Sequence, residues 1–139
     1  MQFRDHEGNG QSVELHQVAQ HADDLDRAIA FYSDVLGCEF IAKINPPGLA
    51  FLRLGSVRLL LDKAAPSALI YLRVDDVRTT AEDLRAAGVP IDTEPHLINT
   101  DTDGIFGEAG FEEWMAFVRD SEGNLVGLAS SQAPAEPPR

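Results

Sequence analysis

Two kinds of side chain in the second half of the sequence have the chemistry of general acids or bases. His96 stands in the run EPHLI beside a long polar segment, and a neutral imidazole can exchange a proton near pH 7. Glu112 and Glu113 are neighbours in a strand-like run, so only one can face a pocket, and we expect it to be Glu113. A buried carboxyl there would have a raised pKa and could act as a base. The alternatives are a histidine bonded to backbone and a solvated glutamate.

Trp114 and Cys38 are the other side chains with distinctive chemistry. Trp114 could stack its ring on a ligand, or it could pack between a sheet and a helix, and the sequence leaves both open. Cys38 follows a predicted helix C-terminus, where the helix dipole disfavours a thiolate, so we do not expect a nucleophile.

The elements that must position these residues form a repeat. In the first half, one strand is followed by an amphipathic helix and three strands, and in the second half the same order returns. Each helix follows a pair of aspartates that can cap it, and each is stopped by a glycine, Gly37 or Gly88. The predicted strands cover residues 13–21, 38–44, 49–54, 57–62, 68–74, 89–98, 111–119 and 125–130, with a polar loop over 99–110.

This repeat predicts an α+β fold of two βαβββ modules that form a curved, barrel-like mixed sheet around a central cleft. We expect residues 1–12 to be a flexible leader and 131–139 a flexible, proline-rich tail. The single domain then covers 13–130, with module one at 13–65 and module two at 66–130. The cleft between the modules is the expected place for a small-molecule ligand.

The composition excludes several classes of function. The formal net charge of −12 repels the phosphates of nucleic acids and anionic membrane surfaces. A single cysteine allows no internal disulfide, and the sequence shows neither a secretory signal nor a span of membrane length. We therefore expect a cytoplasmic protein.

Two segments carry a resemblance to a known family. The run VAQHADDLDRAIAFYSDVLGCEFI resembles the opening module of glyoxalase I, methylmalonyl-CoA epimerase, extradiol dioxygenases and bleomycin-resistance proteins, the vicinal-oxygen-chelate superfamily. The run RDSEGNLVGL resembles the penultimate turn and final strand of that family. The resemblance implies the same duplicated fold and chains that often pair as homodimers. It does not imply one activity, because the fold hosts several enzymes and non-catalytic drug binders.

The resemblance also implies where a divalent metal would be bound, with one ligand from the first and fourth strands of each module. These positions fall on Gln17, on Leu59 or Leu60, on Leu69 and on Gly127. Only the amide oxygen of Gln17 can donate, and a single neutral amide cannot hold a hard dication against water. We therefore expect no metal at the usual site and no cofactor.

Three functions stay open at this point. The first is a small-molecule binder or metal-independent enzyme whose pocket is lined by Leu60, Leu69 and Trp114, with Gln17 and His96 as polar contacts. The second is a divalent-metal lyase, isomerase or dioxygenase with a displaced site that uses Gln17, His96 and a carboxylate. The third is an inert partner-binding module. The sequence does not decide whether the protein is an enzyme, and it names no substrate.

Overall fold

The computed structural model describes residues 13–134, so the predicted leader and residues 135–139 of the tail lie outside the described part. The first module consists of four strands and one helix. Strand β1 is followed by helix α1, which a π-helical segment at Phe31–Val35 continues. The bounds are β1 Gln17–His21, α1 Leu25–Ala30, β2 Glu39–Ile44, β3 Leu49–Leu54 and β4 Val57–Asp62.

The second module repeats this order with longer strands at its end. Its bounds are β5 Ile70–Arg73, α2 Val77–Ala86, β6 Ile91–Asp101, β7 Phe111–Arg119 and β8 Leu125–Gln132. The strand orders are β1-β4-β3-β2 and β5-β8-β7-β6, so both modules have the same topology. In each sheet the first strand pairs in parallel with the last, and the other pairings are antiparallel. The predicted duplicated α+β fold is confirmed, with sheets that are curved but not closed into a barrel.

The boundaries differ from the prediction at five strands, of which β1, β6 and β8 are described here, while β2 and β5 are one and three residues shorter than predicted. Strand β1 begins at Gln17, and the apolar residues before it, Val13 and Leu15, are exposed. Strand β6 runs through Pro95 to Asp101, three residues into the predicted loop, because an edge strand tolerates a proline and the register shifts around it. Strand β8 continues to Gln132, two residues beyond its predicted end.

The two faces of each sheet have different surroundings. One face packs against the helix of its own module, and the residues on it form the core, including Leu52, Leu59, Val118 and Val126. We call the other side of each sheet its open face. Because side chains alternate along a strand, the register assigns every strand residue to one of the two. Within the described residues, neither helix is long and apolar enough to cross a bilayer.

The start of each helix follows from the aspartate before it. The carboxylate of Asp24 accepts a hydrogen bond from the backbone N–H of Arg27 at 3.1 Å, and that of Asp76 accepts one from Arg78 at 2.9 Å. Both are N-caps of the predicted kind. Gly37 follows the first helix with a positive φ of 76°, the conformation that suits glycine where a helix stops.

The modules are joined by hydrogen bonds between the turn that links β7 to β8 and three neighbouring parts of the first module, namely the end of β1, α1 and the π-helical segment, and we call this contact the clasp. The buried Tyr32 hydroxyl donates to Asp120 at 2.6 Å, and the Asn124 side chain donates to the His21 carbonyl at 2.7 Å. Arg27 donates to Glu122 at 2.7 Å. Burial and the Asp120 charge raise the pKa of Tyr32, so the phenol keeps its proton and stays a donor.

Candidate functional site

A cavity of about 810 Å³ lies between the edges of β1 and β5. We call it the inter-module cavity, because both modules supply its walls. The walls are mainly aliphatic, which suits the apolar part of an organic molecule. Its aliphatic side chains are Leu15, Val18, Val35, Leu36, Leu54, Val57, Leu69, Ile70, Leu72, Val74, Leu84 and Leu128.

The position of this cavity follows from an asymmetry between the repeats. Aligning the caps Asp24 and Asp76 places Leu84 of α2 at the position that Tyr32 has in the first module. Tyr32 bonds to the β7–β8 turn, whereas a leucine cannot make the equivalent bond to the β3–β4 turn. Leu84 and Gly55 of that turn instead line the cavity. The first helix is therefore clasped by the opposite module, and the second helix faces a gap.

A second cavity of about 660 Å³ lies on the open face of the second sheet. We call it the loop cavity, since the segment between β6 and β7 forms one wall with Phe106. Arg73 and Glu113 place opposite charges in its lining, and Tyr71 and Phe111 add aromatic surface. This cavity can accommodate a molecule that carries both an aromatic and a polar group.

Asp101 organises the loop that forms this wall. Its carboxylate accepts hydrogen bonds from the backbone N–H groups of Ile105, Phe106 and Gly107 at 2.8, 3.0 and 3.1 Å. Burial works to raise the pKa of Asp101, but these N–H donors outweigh it and the net pKa is lowered. The predicted loop is thus a hydrogen-bonded structure that displays Ile105 and Phe106, which are 76% and 79% exposed.

The first metal position of the resemblance is occupied by a side chain that already has a partner. Gln17 faces the open side of the first sheet, and its amide oxygen accepts a hydrogen bond from Arg58 Nε at 2.7 Å. Arg58 lies directly beside Gln17 in the pairing of β1 with β4. A guanidinium at this point repels a dication and occupies the one oxygen donor.

The remaining metal positions hold no donor side chain. Of the two residues predicted for β4, Leu60 faces the open side, while Leu59 is fully buried against the helix. Leu69, the residue immediately before β5, is half exposed. A Cβ added at Gly127 would lie 2.6 Å from a ring carbon of Tyr71. The side chains at these positions therefore do not fit a divalent cation, and within residues 13–134 no group of three His, Cys, Asp or Glu side chains could hold one.

The residues predicted from sequence to form one site fall in several places. Leu69 lines the inter-module cavity, and Glu113 lines the loop cavity. Gln17 and Leu60 lie on the open face of the first sheet. His96 is exposed on β6, the outer strand of the second sheet, and its Nδ1 lies 2.9 Å from the carbonyl oxygen of Glu94. The structure therefore does not gather these side chains around one point.

Trp114 lies on the helix side of the second sheet. Its ring packs against the core and has the Arg78 guanidinium 5.0 Å from its centre. Its indole N–H donates to Glu112 at 3.3 Å, so Glu112 shares its side of the sheet while Glu113 faces the loop cavity. Cys38 lines the inter-module cavity, where burial raises the pKa of its thiol and disfavours the nucleophilic thiolate.

Three residues that the sequence did not single out stand at important points: Arg58 beside Gln17, Tyr71 over Gly127, and Arg73 in both cavities. Alternation along β5 could have placed Tyr71 and Arg73 on the same face as Leu69. The position of Arg58 beside Gln17 could be predicted only from the register between β1 and β4, which the sequence alone does not give.

Comparison with known proteins gives a family and a set of similar folds. The model of the Glyoxalase/Bleomycin resistance protein/Dioxygenase superfamily matches residues 14–128. No curated protein sequence matches the chain. Among solved structures, UcmS2 is 25% identical with a TM-score of 0.68, covering 87% of this chain and 100% of that one.

Two further structures represent different activities on this fold. Lactoylglutathione lyase from Agrobacterium tumefaciens is 26% identical with a TM-score of 0.62, over 86% of this chain and 94% of that one. TnmS3, an antibiotic binding protein from Streptomyces sp. CB03234, is 21% identical with a TM-score of 0.63, over 89% and 98%. The fold is thus shared by a lyase and a binding protein.

Proposed function

The chain belongs to the glyoxalase/bleomycin resistance protein/dioxygenase superfamily, and from this premise we propose that it binds a small, largely apolar organic molecule in the inter-module cavity without a divalent metal. The observation that supports the proposal is the cavity itself, which lies where the second module has no counterpart of the clasp. Its volume of about 810 Å³ falls within the range of small-molecule pockets.

The side chains at the metal positions support a metal-independent mode of binding. A guanidinium, leucines and a glycine cannot polarise a substrate oxygen as a metal centre does. TnmS3, the antibiotic binding protein, is 21% identical to this chain, so the similarity supports a shared fold and not a shared ligand. The proposal rests instead on the aliphatic walls of the cavity and on the chemistry of Gln17 and Arg58.

Binding in the inter-module cavity can be tested by filling it. Thr80 lines the cavity from α2, so Thr80→Trp should occupy part of the volume, and we expect it to weaken binding of the apolar fluorophore N-phenyl-1-naphthylamine at least about tenfold. Fluorescence titration measures this. Thr79→Trp is the matched control, because Thr79 is exposed and precedes Thr80 on the same helix.

Two results would contradict the proposal. Equal binding by both tryptophan variants would show that the fluorophore does not use this cavity. Stoichiometric iron, zinc, nickel or cobalt in the purified protein, measured by elemental analysis, would favour the metal-dependent alternative.

The remaining expectations from the sequence are proposals of the same kind. Glu113, which lines the loop cavity, and His96, which is exposed on β6, are proposed as the catalytic residues, and His96→Ala and Glu113→Gln are the direct tests. We also propose that the chain forms a homodimer. Light scattering, which measures the mass of the particle in solution, should then give twice the mass of one chain. A cytoplasmic location is proposed from the composition and is tested by fractionation of the producing cell.

A further inference from the structure

Two oppositely charged side chains lie on the two sides of the loop cavity. Arg73 of β5 lies beside Ala129 of β8, and Glu113 of β7 lies beside Ser131, also of β8. All four residues line the cavity, and alternation along the strands puts them on the open face of the second sheet. Neighbouring strands are about 4.8 Å apart, so the backbones that carry the two charges are about 10 Å apart. The short side chains of Ala129 and Ser131 leave a trough between them.

In the described part of the chain, neither of these charges has a counter-ion. No salt bridge there joins Arg73 to Glu113, or either of them to a third residue. Asp101 also lines the cavity, but its carboxylate accepts hydrogen bonds from three backbone N–H groups of the loop. Asp75, the remaining carboxylate in the lining, is exposed, and solvent screens its charge. The guanidinium of Arg73 and the carboxylate of Glu113 are therefore both available to a ligand.

Aromatic side chains supply the other walls of the trough. Tyr71 lies two residues before Arg73, and Phe111 lies two residues before Glu113, so each ring shares the open face with one charge. Phe106 lines the cavity from the loop. Its side chain is 79% exposed, although a buried carboxylate holds its backbone N–H at 3.0 Å. An aromatic side chain that is held in place but left uncovered offers its ring to the ring of a ligand.

We infer that the loop cavity is a second binding site and that it takes an aromatic zwitterion, of which an aromatic amino acid is the simplest kind. The acidic group of the ligand pairs with Arg73, its ammonium group pairs with Glu113, and its ring lies against the aromatic walls. A ligand with a single charge would satisfy only one of the two side chains. The site is separate from the inter-module cavity, so this inference goes beyond the proposed function.

Three probes that share an indole ring test the inference. L-Tryptophan carries an ammonium and a carboxylate, tryptamine lacks the carboxylate, and 3-indolepropionate lacks the ammonium. We expect wild-type protein to bind tryptophan at least about tenfold more tightly than either analogue, because each analogue loses one ion pair. Isothermal titration calorimetry measures the three dissociation constants. Equal affinity for all three probes, or no binding of tryptophan, overturns the inference.

Two variants assign each charge of the ligand to one residue. Arg73→Gln should lower the affinity for tryptophan to that for tryptamine and leave the affinity for tryptamine unchanged. Glu113→Gln should lower it to that for 3-indolepropionate and leave the affinity for that analogue unchanged. Thermal melting checks that each variant is folded. Variants that melt like the wild type and weaken all three probes equally would show that the two side chains do not contact the charged groups, which overturns the inference.

Further variants separate the loop cavity from its surroundings. Phe106→Ala should weaken all three probes at least about threefold. Ile105→Ala is the matched control and should leave them unchanged, because Ile105 is 76% exposed on the same loop and does not line the cavity. Thr80→Trp should weaken N-phenyl-1-naphthylamine and not tryptophan. Weaker tryptophan binding in Thr80→Trp would overturn this inference, whereas unchanged N-phenyl-1-naphthylamine binding would count against the proposed function alone.

Discussion

Gly127 shows how one missing side chain determines what the second sheet can bind. The residue is buried in β8, paired with Tyr71 on one side and Phe117 on the other. These two rings meet edge to face at 5.8 Å. The space that a side chain would need at Gly127 is therefore filled by aromatic rings, and the same packing keeps a metal-binding carboxylate out of this position.

Replacing Gly127 by alanine should destabilise the protein. The new Cβ would lie 2.6 and 2.9 Å from two Tyr71 ring carbons, well inside van der Waals contact. We expect a loss of about 1–3 kcal/mol in the free energy of unfolding, the usual cost of overpacking. Urea denaturation measures it.

A double-mutant cycle provides the control for this change. In a Tyr71→Ala background the ring is absent, so Gly127→Ala should cost much less than in the wild type. An equal cost in both backgrounds would mean that the backbone of β8, and not the Tyr71 ring, requires glycine.

Among the structural elements, the loop between β6 and β7 depends on a single carboxylate. Asp101 is buried, and its carboxylate accepts hydrogen bonds from the backbone N–H groups of three loop residues. These N–H groups lie outside the strands and helices and so have no partner in a regular element. Since the loop exposes Ile105 and Phe106, little hydrophobic burial holds it in place.

Asp101→Asn should therefore loosen the loop while the sheets stay intact. An asparagine side chain accepts hydrogen bonds only at its oxygen, because its nitrogen is a donor. Since the three N–H groups now use both carboxylate oxygens of Asp101, at least one of them loses its partner. We expect faster hydrogen exchange at Ile105, Phe106 and Gly107, with unchanged protection in β7 and β8. Asp103→Asn, at an exposed position of the same loop, should have no such effect.

The sequence predicted the elements well and their irregularities poorly. The capping aspartates and terminal glycines located both helices, because capping is a local interaction between neighbouring residues. The π-helical segment and the extension of β6 beyond Ile98 to Asp101 were missed. Both depend on packing and strand pairing with distant parts of the chain, which hydrophobic periodicity does not report.

At the scale of the whole molecule, duplication predicted the fold but not the site. The repeat implied two sheets and a cleft, and both are present. The sequence alignment of the modules did not show that Tyr32 makes the clasp while Leu84 leaves a gap, since that requires knowing which turn faces each helix. Trp114 was ambiguous for a related reason: alternation gives two faces, and only the position of α2 shows which one is buried.

The clasp should make the stability of the molecule depend on pH. The hydrogen bond from Arg27 is the main cause that lowers the pKa of Glu122 from its usual 4.5 to about 2, and the Asp24 backbone N–H adds to it. Because the folded-state pKa is depressed, the stabilisation is fully present above about pH 4.5 and is lost as the pH falls through about 2.

Glu122→Gln should accordingly destabilise the protein at pH 7 and have a smaller effect towards pH 3. We expect a loss of about 1 kcal/mol in the free energy of unfolding at pH 7, because Arg27 is 54% exposed and solvent screens the pair. Chemical denaturation across this pH range measures the difference between wild type and variant. Glu39→Gln, at a carboxylate 72% exposed beside Arg53, is the control and should show a smaller effect at every pH. A Glu122→Gln effect that stays constant from pH 7 to pH 3 would mean that the charge of Glu122 does not contribute to holding the modules together.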